Sequence, residues 1–156
     1  MKIEFRQYTK HDPKVPVFQI TPDGGYYIHT FYDVSPWSPS GRFLVCLRIP
    51  FQDREPGPDD PAEICVLDLV EKELRPIYTT TGWGMQTAAH QMWGPTDRYL
   101  FFNDKSGGLP VGVRYDLEEG RFDVFDYPFY QVAPDGSVAV SPSLVAINKT
   151  QPGYGV

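Results

Sequence analysis

Short apolar runs alternate with polar turns along this chain, and no segment sustains a helical period. Three stretches share one pattern: Trp37-Ser38-Pro39-Ser40-Gly41-Arg42-Phe43-Leu44-Val45, Trp93-Gly94-Pro95-Thr96-Asp97-Arg98-Tyr99-Leu100-Phe101 and Val132-Ala133-Pro134-Asp135-Gly136-Ser137-Val138-Ala139-Val140. Each is a proline turn followed by an apolar strand. Proline presets the backbone angle of the turn, and Gly or Asp tolerates its left-handed position. A second pattern falls between them. Ile64–Leu69 leads into Glu71–Arg75, and Val113–Leu117 leads into Glu119–Phe122. Each reads as strand, polar turn, strand, an outer hairpin.

Asp68 and Asp116 mark equivalent points of the two hairpins, 48 residues apart (68 to 116). A period of roughly 40 to 50 residues with several short strands per unit predicts β-propeller blades. The expected fold is therefore all-β: a lead-in over 1–25, a blade over 26–78, a second over 79–130 and the start of a third over 131–156. The lead-in is expected to hold a strand able to close the ring. A closed propeller needs roughly four to eight blades. The chain is thus expected to be the N-terminal part of a longer propeller, or a module that closes a ring by self-association.

Composition sharpens this reading. With 16 Pro and 14 Gly in 156 residues, a helical bundle is excluded. A net charge of -6 argues against a nucleic-acid partner. The N-terminus lacks the apolar core of a secretory signal, and no run approaches the roughly 20 apolar residues that cross a bilayer. A cytoplasmic protein without a membrane partner is expected. Cys46 and Cys65 lie inside apolar runs and read as buried free thiols.

Candidate chemistry lies ahead of the first two proline turns. Tyr26–Val34 and Met85–Trp93 read as the innermost blade strands, the ones that line a propeller's channel. The second holds Gln86, His90 and Gln91 among apolar residues. Buried amides and imidazoles need partners. A sugar or carboxylate in a polar channel would supply them, and so would an amide network tying blades together. His29 and His90 are candidate bases or ligands, although a structural role is the commoner one for an isolated histidine beside aromatics. Trp83, between Gly82 and Gly84, is the tryptophan expected to be most exposed. Lys105–Pro110 lacks the spacing of a phosphate loop and reads as a connection. The acidic run at Asp53, Glu55, Asp59 and Asp60 reads as a solvated loop.

From Thr79 to Trp93 and on to Phe101-Phe102-Asn103-Asp104, the chain resembles oligogalacturonate lyase-like proteins, a group with a seven-bladed WD40-like propeller. Asp33–Arg42, Ala133-Pro134-Asp135-Gly136 and Pro152-Gly153-Tyr154-Gly155 add to the resemblance. It implies cleavage of pectin oligosaccharides by β-elimination, with a metal such as Mn2+ neutralising the uronate carboxylate while a base takes the C5 proton. The family's metal ligands form a His/Gln cluster in later blades, so this chain is expected to carry no metal or cofactor itself. No catalytic residue carries over. Trp83, Gln86, His90, Gln91 and Asn103 match the motif and, with His29, are the expected ligand-lining residues. A non-catalytic propeller that binds a carbohydrate or a protein is the alternative.

Overall fold

The computed structural model describes residues 1–151, 153 and 154, so the Pro152–Gly155 segment lies partly outside the described residues. Strands β1 (Arg6–Gln7) and β2 (Phe18–Gln19) form an antiparallel ribbon. Strands β3 (Tyr26–Ile28), β4 (Phe43–Ile49), β5 (Ala62–Asp68) and β6 (Glu73–Thr80) form a four-stranded antiparallel sheet in chain order. Strands β7 (Met92–Trp93), β8 (Tyr99–Ser106), β9 (Leu109–Asp116) and β10 (Arg121–Phe125) repeat that meander. Strands β11 (Gln131–Val132) and β12 (Ala139–Val140) begin a third sheet, and a short helix α1 (Leu144–Thr150) follows. This is a partial β-propeller: two complete blades and the first hairpin of another.

Period-two alternation decides which residues meet. Val45, Leu47 and Ile49 of β4, with Ile64 and Val66 of β5, face the second blade, where they join Leu100, Phe102 and Val113 in one core. The intervening Cys46, Cys65 and Leu67 point to the opposite face. Ile3, Phe5 and Ile20 of the lead-in cover that face, and Lys2 bridges to Glu73 at the start of β6. The lead-in therefore packs on the flank of the first blade that faces away from the second. The described residues form no closed ring.

An arginine clamp repeats in the two blades. Arg42 follows the first proline turn and holds Asp68 Oδ2 from Nη2 at 2.7 Å, while Asp68 Oδ1 accepts the Val70 and Glu71 amides, each at 3.0 Å. Arg98 holds Asp116 Oδ2 at 2.7 Å, and Asp116 Oδ1 accepts the Glu118 and Glu119 amides at 3.0 and 3.1 Å. One carboxylate thus anchors the outer turn and ties it to the proline turn at the same end of the blade. The Arg98 guanidinium lowers the Asp116 carboxyl to about 2. Phe43 stacks on Trp93 across the blades with centroids 6.1 Å apart, and the Trp93 indole donates to Pro36 O at 2.9 Å.

Cys46 and Cys65 lie opposite each other on β4 and β5, buried and free. Burial raises both thiols, Cys65 to about 12. A thiolate is the reactive form. Both cysteines are therefore expected to resist a thiol reagent at pH 8 in the folded protein and to react at once in denaturant. Fast native labelling would contradict this packing.

Helix α1 lies where no helical period was read. Seven residues are too few to display one. Its local signal is Ser143, whose side chain caps the helix by accepting from Ala146 N at 3.3 Å. Buried Leu144 fastens it to the body.

Candidate functional site

The crossing from the first blade to the second builds the site. Thr80 Oγ1 ends β6 2.8 Å from Asn103 O and accepts the Gly82 amide at 2.9 Å. Asp104 Oδ1 accepts Thr81 N at 2.9 Å, and the Tyr78 hydroxyl donates to Asp104 Oδ2 at 2.7 Å. Burial, reinforced by the adjacent carboxylate, raises the Tyr78 phenol. These bonds press Gly82 against β8. A Cβ at Gly82 would lie 2.5 Å from Asp104 Cα.

That contact corrects one expectation. Trp83 is 2% exposed. Its indole donates to Asp60 O at 2.8 Å, and its ring packs on Phe51. Gly82 serves close approach of two backbones, not an exposed tip. The inner strands are also shorter than expected. Only Tyr26–Ile28 and Met92–Trp93 are extended. Residues 85–91 form a compact loop instead, closed by a Gly84–Ala88 bridge. Ala88 and His90 sit at φ 52° and 51° there, left-handed geometry that no strand accommodates.

Behind the loop is a buried polar knot. His90 and Gln91 are 2% and 0% exposed. Gln91 Oε1 accepts the Ala89 amide at 3.1 Å, and Thr30 Oγ1 donates to Gln91 O. His90 packs at a tilt against Tyr130, with centroids 5.0 Å apart. Thr87 Oγ1, His90 Nε2 and Gln91 Nε2 have no hydrogen-bond partner in the described residues. Burial lowers the His90 imidazole to about 4 against a small opposing pull from Asp33. It is neutral at physiological pH.

Asn103 is also fully buried. Its amide donates to Phe129 O at 2.8 Å and accepts Phe129 N at 2.6 Å, which clips β8 to the connection leading into the third sheet. Asn103→Ala would strand both backbone groups. It is expected to cost about 2 kcal/mol in urea denaturation, and a cost under about 0.5 kcal/mol, the scale of an ordinary surface substitution, would remove the clip from the account.

In front of the loop opens a cleft of about 560 Å3. Thr81, Trp83 and Gly84 form its floor. One wall is Glu55–Asp59 from the β4–β5 connection. A second is Lys105, Gly107, Gly108 and Pro110 from the β8–β9 connection. The third is Val145, Asn148, Lys149 and Gly153 at helix α1. Lys105 Nζ donates to Pro58 O at 3.3 Å. Burial lowers its ammonium, against the pull of Asp59 and Asp104.

Over 87% of its length the chain superposes on the crystal structure of an oligogalacturonate lyase from Vibrio parahaemolyticus, with a TM-score of 0.61 and 17% identity. The shared feature is the fold. The chain spans 34% of that structure's length. No family model matches the sequence, and no curated protein matches it.

The expected lining residues therefore divide. Trp83 floors the cleft, and exposed Gln86 borders it, its backbone N–H donating to Gly153 O at 3.1 Å. His90, Gln91 and Asn103 belong to the buried interior, and His29 is exposed after β3. Among the described residues no three His, Cys, Asp or Glu side chains converge as metal ligands. His90 is the single imidazole of the knot, beside an amide and a hydroxyl, and this donor set does not fit a divalent ion.

The lining residues that the sequence does not single out are Lys105, Asn148 and Lys149, and it offers Glu55 and Asp59 only as part of a solvated loop. The 105–110 stretch reads there as a connection, and each of the two segments is taken on its own. A signal was present, because each joins the second and third strands of its blade. Equivalent connections of successive blades emerge side by side on one face.

Proposed function

We propose that this chain forms the first blades of a propeller of the oligogalacturonate lyase type, acting on uronate oligosaccharides by β-elimination. The observation that carries the reading is the likeness to the lyase over 87% of the chain. A cleft opening on the blade connections, where propellers place ligands, adds to it. Its volume falls within the roughly 300–1,000 Å3 of small-molecule sites.

In β-elimination a base takes the proton from C5, the C4–oxygen bond breaks, and a C4–C5 double bond forms. This chain brings no imidazole to its cleft, so its own share is to bind and orient the oligosaccharide. The proton acceptor and any metal such as Mn2+ belong to further blades.

A binding module without catalysis is the second reading, favoured by a cleft that no imidazole lines. No helix among the described residues is long and apolar enough to cross a membrane. Cytoplasmic residence and an oligosaccharide partner, with no nucleic-acid or membrane partner, go with the proposal. The test is to assay the protein produced from its natural locus on trigalacturonate with Mn2+. An ultraviolet-absorbing unsaturated product is expected. Sugar binding without turnover would replace the lyase with the binding module.

A further inference from the structure

We infer that Cys46 and Cys65 form a redox-modification site, a cross-strand dithiol beneath the lead-in that a low-molecular-weight disulfide converts to a disulfide bond between β4 and β5. The inference stands on the geometry of the first blade and does not rest on the proposed function.

The two cysteines of the chain meet in register. Cys46 on β4 is directly opposite Cys65 on β5, in a ladder that runs unbroken from Phe43–Asp68 to Arg48–Glu63. Opposed residues project from the same face of a sheet, and both side chains join Leu67 and Leu74 in one cluster. Hydrogen-bonded and non-hydrogen-bonded pairs alternate along an antiparallel ladder. The Leu69 N–H donates to Arg42 O at 2.9 Å. Counting pairs from there makes Cys46–Cys65 a hydrogen-bonded pair, with Cα atoms about 5.5 Å apart. Disulfides most often span about 5.5–6 Å between Cα atoms. The bond therefore forms without moving either strand.

Access is set by the lead-in. Burial raises both thiols in the closed protein, and the thiolate is the attacking form. Ile3, Phe5 and Ile20 cover the pair, yet none of residues 1–20 is itself buried. The β1–β2 ribbon holds two residue pairs. The lead-in is tied to β6 by Ile3 N–H to Lys72 O and Leu74 N–H to Met1 O, each 2.9 Å. Lys2 adds ion pairs to Glu71 and Glu73 on open surface, where such pairs contribute little. A segment with so little buried surface opens at lower free energy than the blade beneath it. Its lifting exposes the two thiols while β4 and β5 stay paired.

The chemistry is thiol–disulfide exchange. One cysteine thiolate attacks a sulfur of the reagent, whose S–S bond breaks and releases one thiol. The facing thiolate then attacks the protein sulfur of the mixed disulfide. The Cys46–Cys65 bond forms and the second reagent thiol leaves. Two electrons pass to the reagent, and the two cysteine protons end on its released thiols. The product staples the strands on either side of the β4–β5 connection, which carries the Glu55–Asp59 wall of the cleft.

The test is to incubate the folded chain with oxidised glutathione at pH 8, then unfold it and count free thiols by alkylation and mass. Oxidation is expected to proceed at the rate of opening, far slower than in the unfolded chain. Both thiols should be lost, with a mass lower by two hydrogens, a peptide joining Cys46 to Cys65, and full recovery in dithiothreitol. Cys46→Ala and Cys65→Ala should each stop at the mixed disulfide and keep one glutathionyl group. If either variant misfolds, the wild-type peptide map decides alone. Phe5→Ala loosens the lead-in and should speed oxidation about tenfold, the factor carried by part of its apolar burial. Asn103→Ala weakens the fold away from the lead-in and should leave the rate within about twofold.

A folded chain that keeps both thiols under conditions that oxidise the unfolded chain would overturn the site. Two glutathionyl groups on one chain, or chains joined to each other, would overturn the pairing. Equal acceleration by Asn103→Ala and Phe5→Ala would mean that only global unfolding exposes the thiols, and would overturn the lead-in as the gate.

Discussion

Gly82→Ala is expected to destabilise the protein by about 3 kcal/mol, the upper end for an overpacked site. The added methyl would stand 2.5 Å from Asp104 Cα and 2.6 Å from its carbonyl carbon. Both are backbone atoms, in a strand paired along its length to β9. A flexible side chain can swing away from such a contact. A ladder strand cannot, so the blades must part. Parting them also stretches the bonds that Thr80 and Thr81 make to Asn103 and Asp104. The loss is expected to show as a lower urea midpoint.

Gly41→Ala is the companion measurement. That glycine sits at φ 74° with nothing near its missing side chain. Its replacement carries only left-handed strain, about 1 kcal/mol. The two variants thus separate space from backbone conformation. If Gly82→Ala cost no more than Gly41→Ala, the close approach of the blades would be wrong.

The blades were legible because their strands obey local rules. β4 and β5 read as continuous apolar runs, which marks them as buried strands, while the sorting of Val45, Leu47 and Ile49 from Cys46 appears only with the pleat of the folded sheet. The acidic hairpins recur at blade spacing, 48 residues apart (68 to 116), and a proline turn opens each unit. Even the clamps were visible as residues: Arg42 and Arg98 follow equivalent prolines, and Asp68 and Asp116 end equivalent strands. What a single sequence does not state is that each Arg reaches its Asp, since that depends on three strands being in register.

The site was less legible because long-range contacts set it. Gln86, His90 and Gln91 suggested a strand with polar inward faces. The chain instead coils there, because Gly82 is drawn onto Asp104 and Trp83 onto Asp60. The motif then splits: Trp83 and Gln86 border the cleft, and His90 and Gln91 lie behind it. Flanking glycines look the same in sequence whether they free a tip or admit a neighbouring backbone. Only the tertiary contact distinguishes the two.

The buried imidazole carries the second large expectation. Burial lowers His90 to about 4 in the folded state, from 6.5 in an unfolded chain. The sign follows from proton counts. Between those values the unfolded chain binds a proton that the folded protein refuses, so stability rises with pH through this window. It is fully present above about pH 6.5 and is lost as pH falls toward 4. The displacement corresponds to about 3 kcal/mol. The lowered carboxyls, among them Asp68 and Asp116, have the same sign, but theirs is lost only as pH falls below their ordinary value of 3.8. Denaturation midpoints between pH 4.5 and 6.5 therefore isolate the histidine. The wild-type protein is expected to weaken steadily on acidification through that range, whereas His90→Gln, neutral throughout, should stay nearly flat whatever its absolute stability. Equal slopes in the two proteins would mean that His90 finds a proton-accepting partner or solvent in the fold, and the buried knot would have to be redrawn around it.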